Sequence, residues 1–131
     1  MTHQHNKTLA LRSWEELVNR RNVDFVDELF HPEYVMHMPD GSPAPDADGT
    51  KVFLRALFVA FPDMRVDVHD VIAEGDRVMT RETWRGTHVG EWMGAPPTGQ
   101  PWARTSIHVF RFQDGRVIEE WTEGQPWRPG A

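Results

Sequence analysis

Residues 102–123 read WARTSIHVFRFQDGRVIEEWTE, and this stretch decides the fold because its pattern predicts a β-hairpin. Apolar and polar residues alternate on both sides of the turn residues Gln113-Asp114-Gly115, as they do in two antiparallel strands joined by a short loop. A three-residue loop would pair His108 with Glu120, whereas a two-residue loop would place His108 opposite Trp121. We favour the three-residue loop, because it gives the hairpin one mixed polar and apolar face.

The two faces of this hairpin differ in character. A face with a few polar groups among apolar ones is typical of a ligand-binding pocket, and this face is predicted to carry Arg104, Ser106, His108, Phe110, Ile118, Glu120 and Thr122. The other face is predicted to mediate self-association through Ile107, Val109, Val117 and Trp121.

Working outward from the hairpin, helical periodicity comes early in the chain and strand alternation comes late. The patterns predict helices over residues 7–21, 23–30 and 50–61, and strands over residues 34–36, 64–73 and 77–87. This order predicts an α+β fold in which about three N-terminal helices cover a curved antiparallel sheet and enclose a pocket. The length fits a single domain over residues 1–131.

Composition excludes several functional classes. Twenty acidic residues against 14 basic ones give a net charge of −6, which argues against nucleic acid as a partner. The chain has no cysteine, so disulfides and thiolate metal sites are excluded. We expect no membrane span, because no apolar stretch approaches about 20 residues, and we expect a cytoplasmic protein, because the first residues lack a signal-peptide pattern.

His108 and Glu120 are the strongest candidates for catalysis. Cross-strand neighbours lie about 5 Å apart at Cβ, so the two side chains could touch. A carboxylate beside an imidazole orients the ring and favours its charged form, and the ring then transfers protons near neutral pH. The alternative interpretation is a structural contact without a chemical role.

Two further histidines are predicted to lie where strands open into the pocket. His37 ends a short strand beside the loop over residues 39–49, and His88 ends a strand beside the Gly- and Pro-rich segment 89–101. Trp92 and Met93 in that segment are interpreted either as a lid or as packing residues. No closely spaced histidine pair lies in the predicted folded part, so we predict no metal and no cofactor.

Four segments together resemble the SnoaL-like polyketide cyclase family, which has the NTF2-like cone fold. These are GTHVGEWMGAPPTG over residues 86–99, the hairpin over residues 108–121, VDELFHPEYV over residues 26–35 and FPDMRV over residues 61–66. The resemblance implies an enzyme that closes a ring by intramolecular aldol condensation without metal or cofactor. It also implies an oligomer that packs through the sheet.

The resemblance assigns roles residue by residue. His108 matches a pocket histidine of the cyclases, His88 the histidine of their Gly-x-His-x-Gly segment, and His37 a histidine after the first strand. The acid/base aspartate of the cyclases falls at Thr122, which cannot serve as a general acid at neutral pH. The resemblance therefore implies that Glu120 or Glu123 has taken over this role, or that the reaction differs.

We therefore expect a cofactor-independent cyclase or isomerase that acts by acid-base catalysis on a polyketide-like carbonyl compound. Its expected partners are an apolar small-molecule substrate and a second copy of the chain, in a homodimer or a higher oligomer. Two alternatives remain at this stage. One is a non-catalytic small-molecule-binding module, and the other is a hydrolase or hydratase with an activated water.

Overall fold

The computed structural model describes residues 3–127 and confirms the α+β cone. Its α-helices are α1 (His3–Trp14), α2 (Val26–Leu29) and α3 (Ala47–Ala60), and its strands are β1 (Phe30–His37), β2 (Arg65–Glu74), β3 (Arg77–Thr87), β4 (Pro101–Gln113) and β5 (Arg116–Gly124). A π-helical segment, Glu15–Asn19, continues α1, and a 3-10 turn, Val23–Phe25, precedes α2. No helix within residues 3–127 is long and apolar enough to span a membrane.

The five strands form one sheet in the order β1-β5-β4-β3-β2. Strands β2 to β5 pair antiparallel as expected, but β1 pairs parallel to β5, so the sheet is mixed. The sequence could not determine this direction, because α3 and three further strands separate β1 from β5 and no turn links the two. The parallel edge strand ends beside the last hairpin, at the wide end of the cone.

The β4–β5 hairpin has the two-residue loop that was the alternative, but beyond a bulge its register differs from both of those considered. Its loop is the two-residue turn Asp114-Gly115, in which both residues have positive φ angles, 54° and 75°, as a type I′ turn requires. A bulge at Ile118 then shifts the pairing, so that His108 lies opposite Thr122 and Phe110 lies opposite Glu120. The three-residue loop and the direct His108–Glu120 pairing are therefore wrong.

Beyond the bulge, the residues of the hairpin that line the pocket lie on the predicted face. His108, Glu120 and Thr122 all point to the concave side and are buried. Val117 was predicted to lie on the outer face, but it is fully buried opposite Phe112. The extra residue of a bulge reverses the alternation on the turn side of the strand, which explains this single exchange of faces.

Helices α1 and α3 cover the concave side of the sheet. The α3 helix begins at Ala47, three residues before the predicted start, because Asp46 caps it by accepting a hydrogen bond from the Gly49 amide at 2.8 Å. Its buried residues Leu54, Leu57 and Ala60 recur at helical spacing, so one face of the helix packs on the core. The space between these helices and the sheet is not filled, and the resulting cavity is the candidate site.

Candidate active site

A cavity of about 290 Å³ lies between α1 and the concave face of the sheet. Its walls are mainly aromatic and aliphatic, and they include Trp14, Leu17, Phe30, Phe53, Trp84 and Phe110. Four ionisable side chains reach it: Tyr34, Arg104, His108 and Glu120. An apolar hollow with a few converging polar groups is the usual form of a small-molecule site.

The ring of His108 is held between two carboxylates. Its Nδ1 hydrogen-bonds to Oε1 of Glu82 on β3, and its Nε2 lies 3.8 Å from Oε2 of Glu120 on β5. Trp14 meets the ring edge-on, with 4.7 Å between the ring centroids. Because a carboxylate accepts hydrogen bonds, the proton sits on Nδ1, and Nε2 is the nitrogen free to accept a proton.

Glu82 is a site residue that the sequence analysis missed. Its side chain is fully buried, and Ser106 Oγ donates a hydrogen bond of 2.7 Å to the same Oε1 that His108 contacts. Trp84 Nε1 in turn donates to Ser106 Oγ at 3.2 Å. The available signal was the alternation of β3, which places Glu82 among the inward residues between Thr80 and Trp84. A charged residue in such a position is rarely structural alone.

Glu120 is buried in the cavity wall and has an unusual ionisation. Burial raises the pKa of its carboxyl group above the ordinary value, and the nearby Glu82 carboxylate raises it further, while His108 and Tyr34 oppose this shift. Tyr34 donates its hydroxyl hydrogen to Glu120 Oε1 at 2.9 Å. The group therefore keeps its proton to higher pH than an exposed glutamate and is suited to act as an acid.

The structure distinguishes between Glu120 and Glu123, the two carboxylates that could replace the acid/base aspartate of the family. Thr122 lines the cavity, and so does Glu120. Glu123 is exposed and lies opposite Ile107, on the outer side of the sheet. Of the two candidates, Glu120 is the one that can contact a ligand in the cavity.

Neither His37 nor His88 lines the cavity, contrary to the prediction. His37 lies on the outer side of the sheet, where its Nε2 hydrogen-bonds to Glu119 Oε2 at 2.6 Å and its ring stacks on Trp121. The alternation of β1 explains this, because Met36 rather than His37 points inward. His88 is fully buried and stacks on Phe61, with 5.2 Å between the ring centroids.

Of the remaining predicted binding residues, some line the cavity and others lie outside it. Met93 and Phe110 line the cavity. Trp92 is buried beside it and packs edge-on against Phe53, with 5.5 Å between centroids, so the packing interpretation applies to Trp92. Ser106 lies behind the cavity wall, where its hydroxyl contacts Glu82.

Residues 124–131 have the composition of a loose chain terminus, but the described part of this segment is packed. Trp127 lines the cavity, and its ring lies edge-on to Trp84 with 4.9 Å between centroids. Trp92 Nε1 donates to the carbonyl oxygen of Trp127 at 2.9 Å. Residues 128–131 lie outside the described residues. The sequence signal for this contact is the single tryptophan in a segment of turn-forming residues.

Comparison with known proteins supports the same family and fold. The family model for the SnoaL-like polyketide cyclases matches residues 8–125. The chain belongs to the SnoaL-like polyketide cyclase family. Among the described residues of this family member, 3–127, no three His, Asp or Glu side chains converge in a group that could hold a metal ion.

Two curated members of the SnoaL-like family are similar to the chain over most of their length. The aklanonic acid methyl ester cyclase AcmA of Streptomyces galilaeus is 28% identical, with 90% of each chain covered. The nogalonic acid methyl ester cyclase of Streptomyces nogalater is 26% identical, with 85% of this chain and 96% of the relative covered.

Solved structures show the same fold. AclR from Streptomyces galilaeus, a proposed hydroxylase, has a TM-score of 0.84 and 30% identity, and the match covers 95% of this chain and 91% of AclR. IdmH from Streptomyces antibioticus, a proposed polyketide cyclase, has a TM-score of 0.79 and 33% identity, with 94% and 93% covered. These likenesses extend over the whole cone, including the strands that carry the cavity residues.

Proposed function

We propose that this protein is a polyketide cyclase that closes a ring by intramolecular aldol condensation, with acid-base catalysis by its own side chains. The observation that carries the proposal is the position of His108, between Glu82 and Glu120 in an apolar cavity. Membership of the SnoaL-like family and the names of the curated relatives support the same reaction class.

The three side chains account for every proton in such a reaction. His108 Nε2 removes the proton from a carbon next to a carbonyl group, and Glu82 stabilises the resulting imidazolium through Nδ1. The carbanion attacks a second carbonyl group of the same molecule, and Glu120 gives its proton to the oxygen that becomes negative. The imidazolium then returns a proton to Glu120 across 3.8 Å, so that substrate and product are isomers.

The apolar walls contribute in two ways. Excluding water strengthens the interactions between the charges that develop and the fixed polar groups around them. The cone also folds the substrate so that the two reacting carbons meet, which replaces an entropically costly encounter with a bound geometry. Trp14 and Phe110 both contact the His108 ring and each other, and they form the part of the wall nearest the reaction.

The test uses aklanonic acid methyl ester and nogalonic acid methyl ester as probe substrates. We expect the purified protein to convert at least one of them to a product of unchanged mass. His108→Ala should lower the rate by about a hundredfold or more, and His37→Ala on the outer face is the matched control. Wild-type rates in His108→Ala would contradict the role in proton transfer, and tight binding without conversion would favour the binding module.

A hydroxylase is a second candidate, because AclR, a proposed hydroxylase, is 30% identical to this chain. Mass spectrometry of the product separates the candidates without further assumptions. Cyclisation leaves the mass unchanged, hydroxylation adds one oxygen atom, and hydration by an activated water adds one water molecule. Hydrolysis of the methyl ester releases methanol and lowers the product mass by one CH2 unit.

We also propose a homodimer formed through the outer face of the sheet. This face exposes apolar side chains, among them Ile72 at 58% and Ile107 at 38% of their surface, and Trp121 lies between them and β1. Trp121→Glu should place a charge in the interface and give a monomer in size-exclusion chromatography with light scattering. An unchanged mass, whether monomeric or dimeric, in both proteins would contradict this interface.

A further inference from the structure

Arg104 is a buried cation in the wall of the cavity. It precedes His108 by four residues on the same inward face of β4, and only 5% of its surface is exposed. Its Nε donates a hydrogen bond of 2.9 Å to the carbonyl oxygen of Gln125, and its guanidinium carbon lies 4.2 Å from the centroid of the Trp127 ring. Within residues 3–127 it forms no ion pair, although the chain has six more acidic than basic residues.

The charge of Arg104 is poorly compensated by the protein. Burial lowers its pKa to about 10, and the electrostatic effect of Glu82 only partly opposes this, so the group remains positively charged at neutral pH. Glu82 is not a direct partner, because no hydrogen bond or ion pair joins it to Arg104: its Oε1 is engaged by His108 and Ser106, and its buried Oε2 has no hydrogen-bond partner. Burying an unpaired charge is costly, and such a cost is usually met at sites that bind an opposite charge.

The backbone leaves space for this guanidinium group. A Cβ atom at Gly124 would lie 2.7 Å from Nη2 of Arg104 and equally close to the carbonyl oxygen of Thr105. Glycine is therefore required at the end of β5 for the guanidinium to lie where it does. The carbonyl of Gln125, the ring of Trp127 and the glycine backbone hold the group on three sides, and the remaining side is the cavity.

We propose that Arg104 binds a free carboxylate group of the substrate, so that the protein selects a carboxylic acid over its methyl ester. This inference rests on the proposed cyclase function and names the substrate class for it. A guanidinium group presents paired N–H donors that match the two oxygens of a carboxylate. The curated relatives are named for methyl esters, in which that oxygen pair carries no charge.

The placement of Arg104 also sets the length of the substrate. Arg104 and His108 are four residues apart on one strand, which separates their Cα atoms by about 13 Å. The guanidinium group lies beside Gly124, which pairs with Ser106 between the two residues, so a substrate that contacts both Arg104 and His108 spans less than this Cα distance. A polycyclic skeleton whose carboxylate and reacting carbon lie on the same side satisfies both contacts.

Binding of a probe pair tests the proposal without any turnover. Anthraquinone carboxylate and its methyl ester differ only in charge at one end, and the tryptophans of the cavity wall report their binding by fluorescence. We expect the wild-type protein to bind the acid about tenfold to a hundredfold more tightly than the ester. Equal affinity for the two probes, or tighter binding of the ester, would overturn the proposal.

Two variants locate the preference at Arg104. Arg104→Met should bind the acid and the ester equally, while Arg81→Gln, which removes an exposed arginine paired with Asp70 on the outer face, should keep the preference. Arg104→Gln removes the charge but keeps an N–H donor for the carbonyl of Gln125, and it should also lose the preference, so the proposal remains testable if Arg104→Met does not fold. A full preference in either Arg104→Met or Arg104→Gln would show that the acid is recognised elsewhere.

Turnover of matched substrates separates this inference from the proposed function. Aklanonic acid and its methyl ester are compared by kcat/KM, with the wild-type protein and Arg104→Met. A higher value for the free acid, lost in the variant, supports both proposals. Faster turnover of the ester by the wild-type protein would leave the cyclase function intact and overturn the role of Arg104. Acid-selective binding with no turnover of either compound would support Arg104 and contradict the cyclase.

Discussion

Glu119 and Glu120 are neighbours in the chain, yet they lie on opposite sides of the sheet and ionise in opposite ways. Arg111 donates a hydrogen bond of 2.8 Å to Glu119, and this contact, together with His37, lowers the pKa of Glu119 below its ordinary value. Glu120 is enclosed in the cavity, and burial raises its pKa. Each glutamate has a histidine beside it, but only the inner pair faces a space that can hold a ligand.

This comparison shows that the environment rather than the residue type makes a candidate acid. The outer glutamate is charged and paired, so it has no proton to give at neutral pH. The inner one is surrounded by apolar walls and a second carboxylate, Glu82, which raise its pKa, so it holds its proton to higher pH than Glu119 does. Two adjacent residues of one strand can lie in such different environments because successive side chains point to opposite faces of the sheet.

The largest effect is expected when the two glutamates are changed in turn. Glu120→Gln removes the proposed proton donor and should lower kcat on the probe esters by about a hundredfold or more. Glu119→Gln makes the same chemical change on the outer face and should leave kcat close to that of the wild-type protein. Steady-state kinetics of the two variants measures the difference directly.

The proposed difference between Glu119 and Glu120 would be contradicted if both variants lost kcat equally, or if Glu119→Gln lost more. Circular dichroism and the thermal midpoint of each variant provide the control for folding. Because glutamine has nearly the shape of glutamate, a loss of activity with an intact fold reports on the proton rather than on packing.

The second-largest effect on kcat is expected for Glu82, whose carboxylate hydrogen-bonds to His108 Nδ1. Glu82→Gln keeps a hydrogen-bonding group near His108 Nδ1 but removes the charge that stabilises the imidazolium. Loss of a charged hydrogen bond of about 1.5–3 kcal/mol predicts a decrease in kcat of about tenfold to a hundredfold. Because Glu82 does not touch the substrate space, KM should change little.

Glu74→Gln, at the exposed end of β2, is the matched control for this variant. An unchanged kcat in Glu82→Gln would show that the carboxylate serves only the fold. A raised KM with unchanged kcat would place Glu82 in direct contact with the substrate instead.

The predicted three-residue loop put His108 and Glu120 on one face, and the structure reaches the same result differently, because a bulge after its two-residue loop shifts the register by one residue. The sequence could not give this register, since the bulge at Ile118 depends on how the β5 backbone packs rather than on a local signal. For the same reason Val117 was assigned to the wrong face. Periodicity therefore predicts which side a residue faces more reliably than which residue lies opposite it.

Contacts between distant elements were beyond the sequence patterns. Glu82 meets His108 only because β3 and β4 pair in the observed register, and His37 faces outward because β1 alternates with Met36 inward. The packing of Trp127 closes one end of the cavity, yet its segment reads as a loose tail. Each of these results depends on tertiary packing, which propensity and alternation do not encode.

A smaller effect is expected in the pH profile. Tyr34 donates a hydrogen bond to Glu120 and so favours its charged form. Tyr34→Phe removes this donor, and the pKa of Glu120 should rise further. If Glu120 acts as a proton donor, activity falls as pH rises through its pKa, so the alkaline limb of kcat should move to higher pH. A shift of the acid limb to higher pH, with the alkaline limb unchanged, would assign Glu120 the role of a base.

The smallest effect is on stability, and its sign should differ between the two glutamates. The folded-state pKa of Glu119 is lowered, so its contribution is present above the unfolded-state pKa and is lost as pH falls through the folded value. Glu119→Gln should therefore cost less than about 1 kcal/mol near neutral pH, and this difference should vanish in acid.

Glu120 should show the opposite pH dependence of stability. Its folded-state pKa is raised, so its contribution is complete below the unfolded-state pKa and is lost as pH rises through the folded value. The advantage of the wild-type protein over Glu120→Gln should therefore shrink with rising pH, while its advantage over Glu119→Gln grows. Urea unfolding of all three proteins from acid to alkaline pH measures both trends. Trends of the same sign would mean that the two faces of β5 do not differ in the way that makes Glu120 an acid.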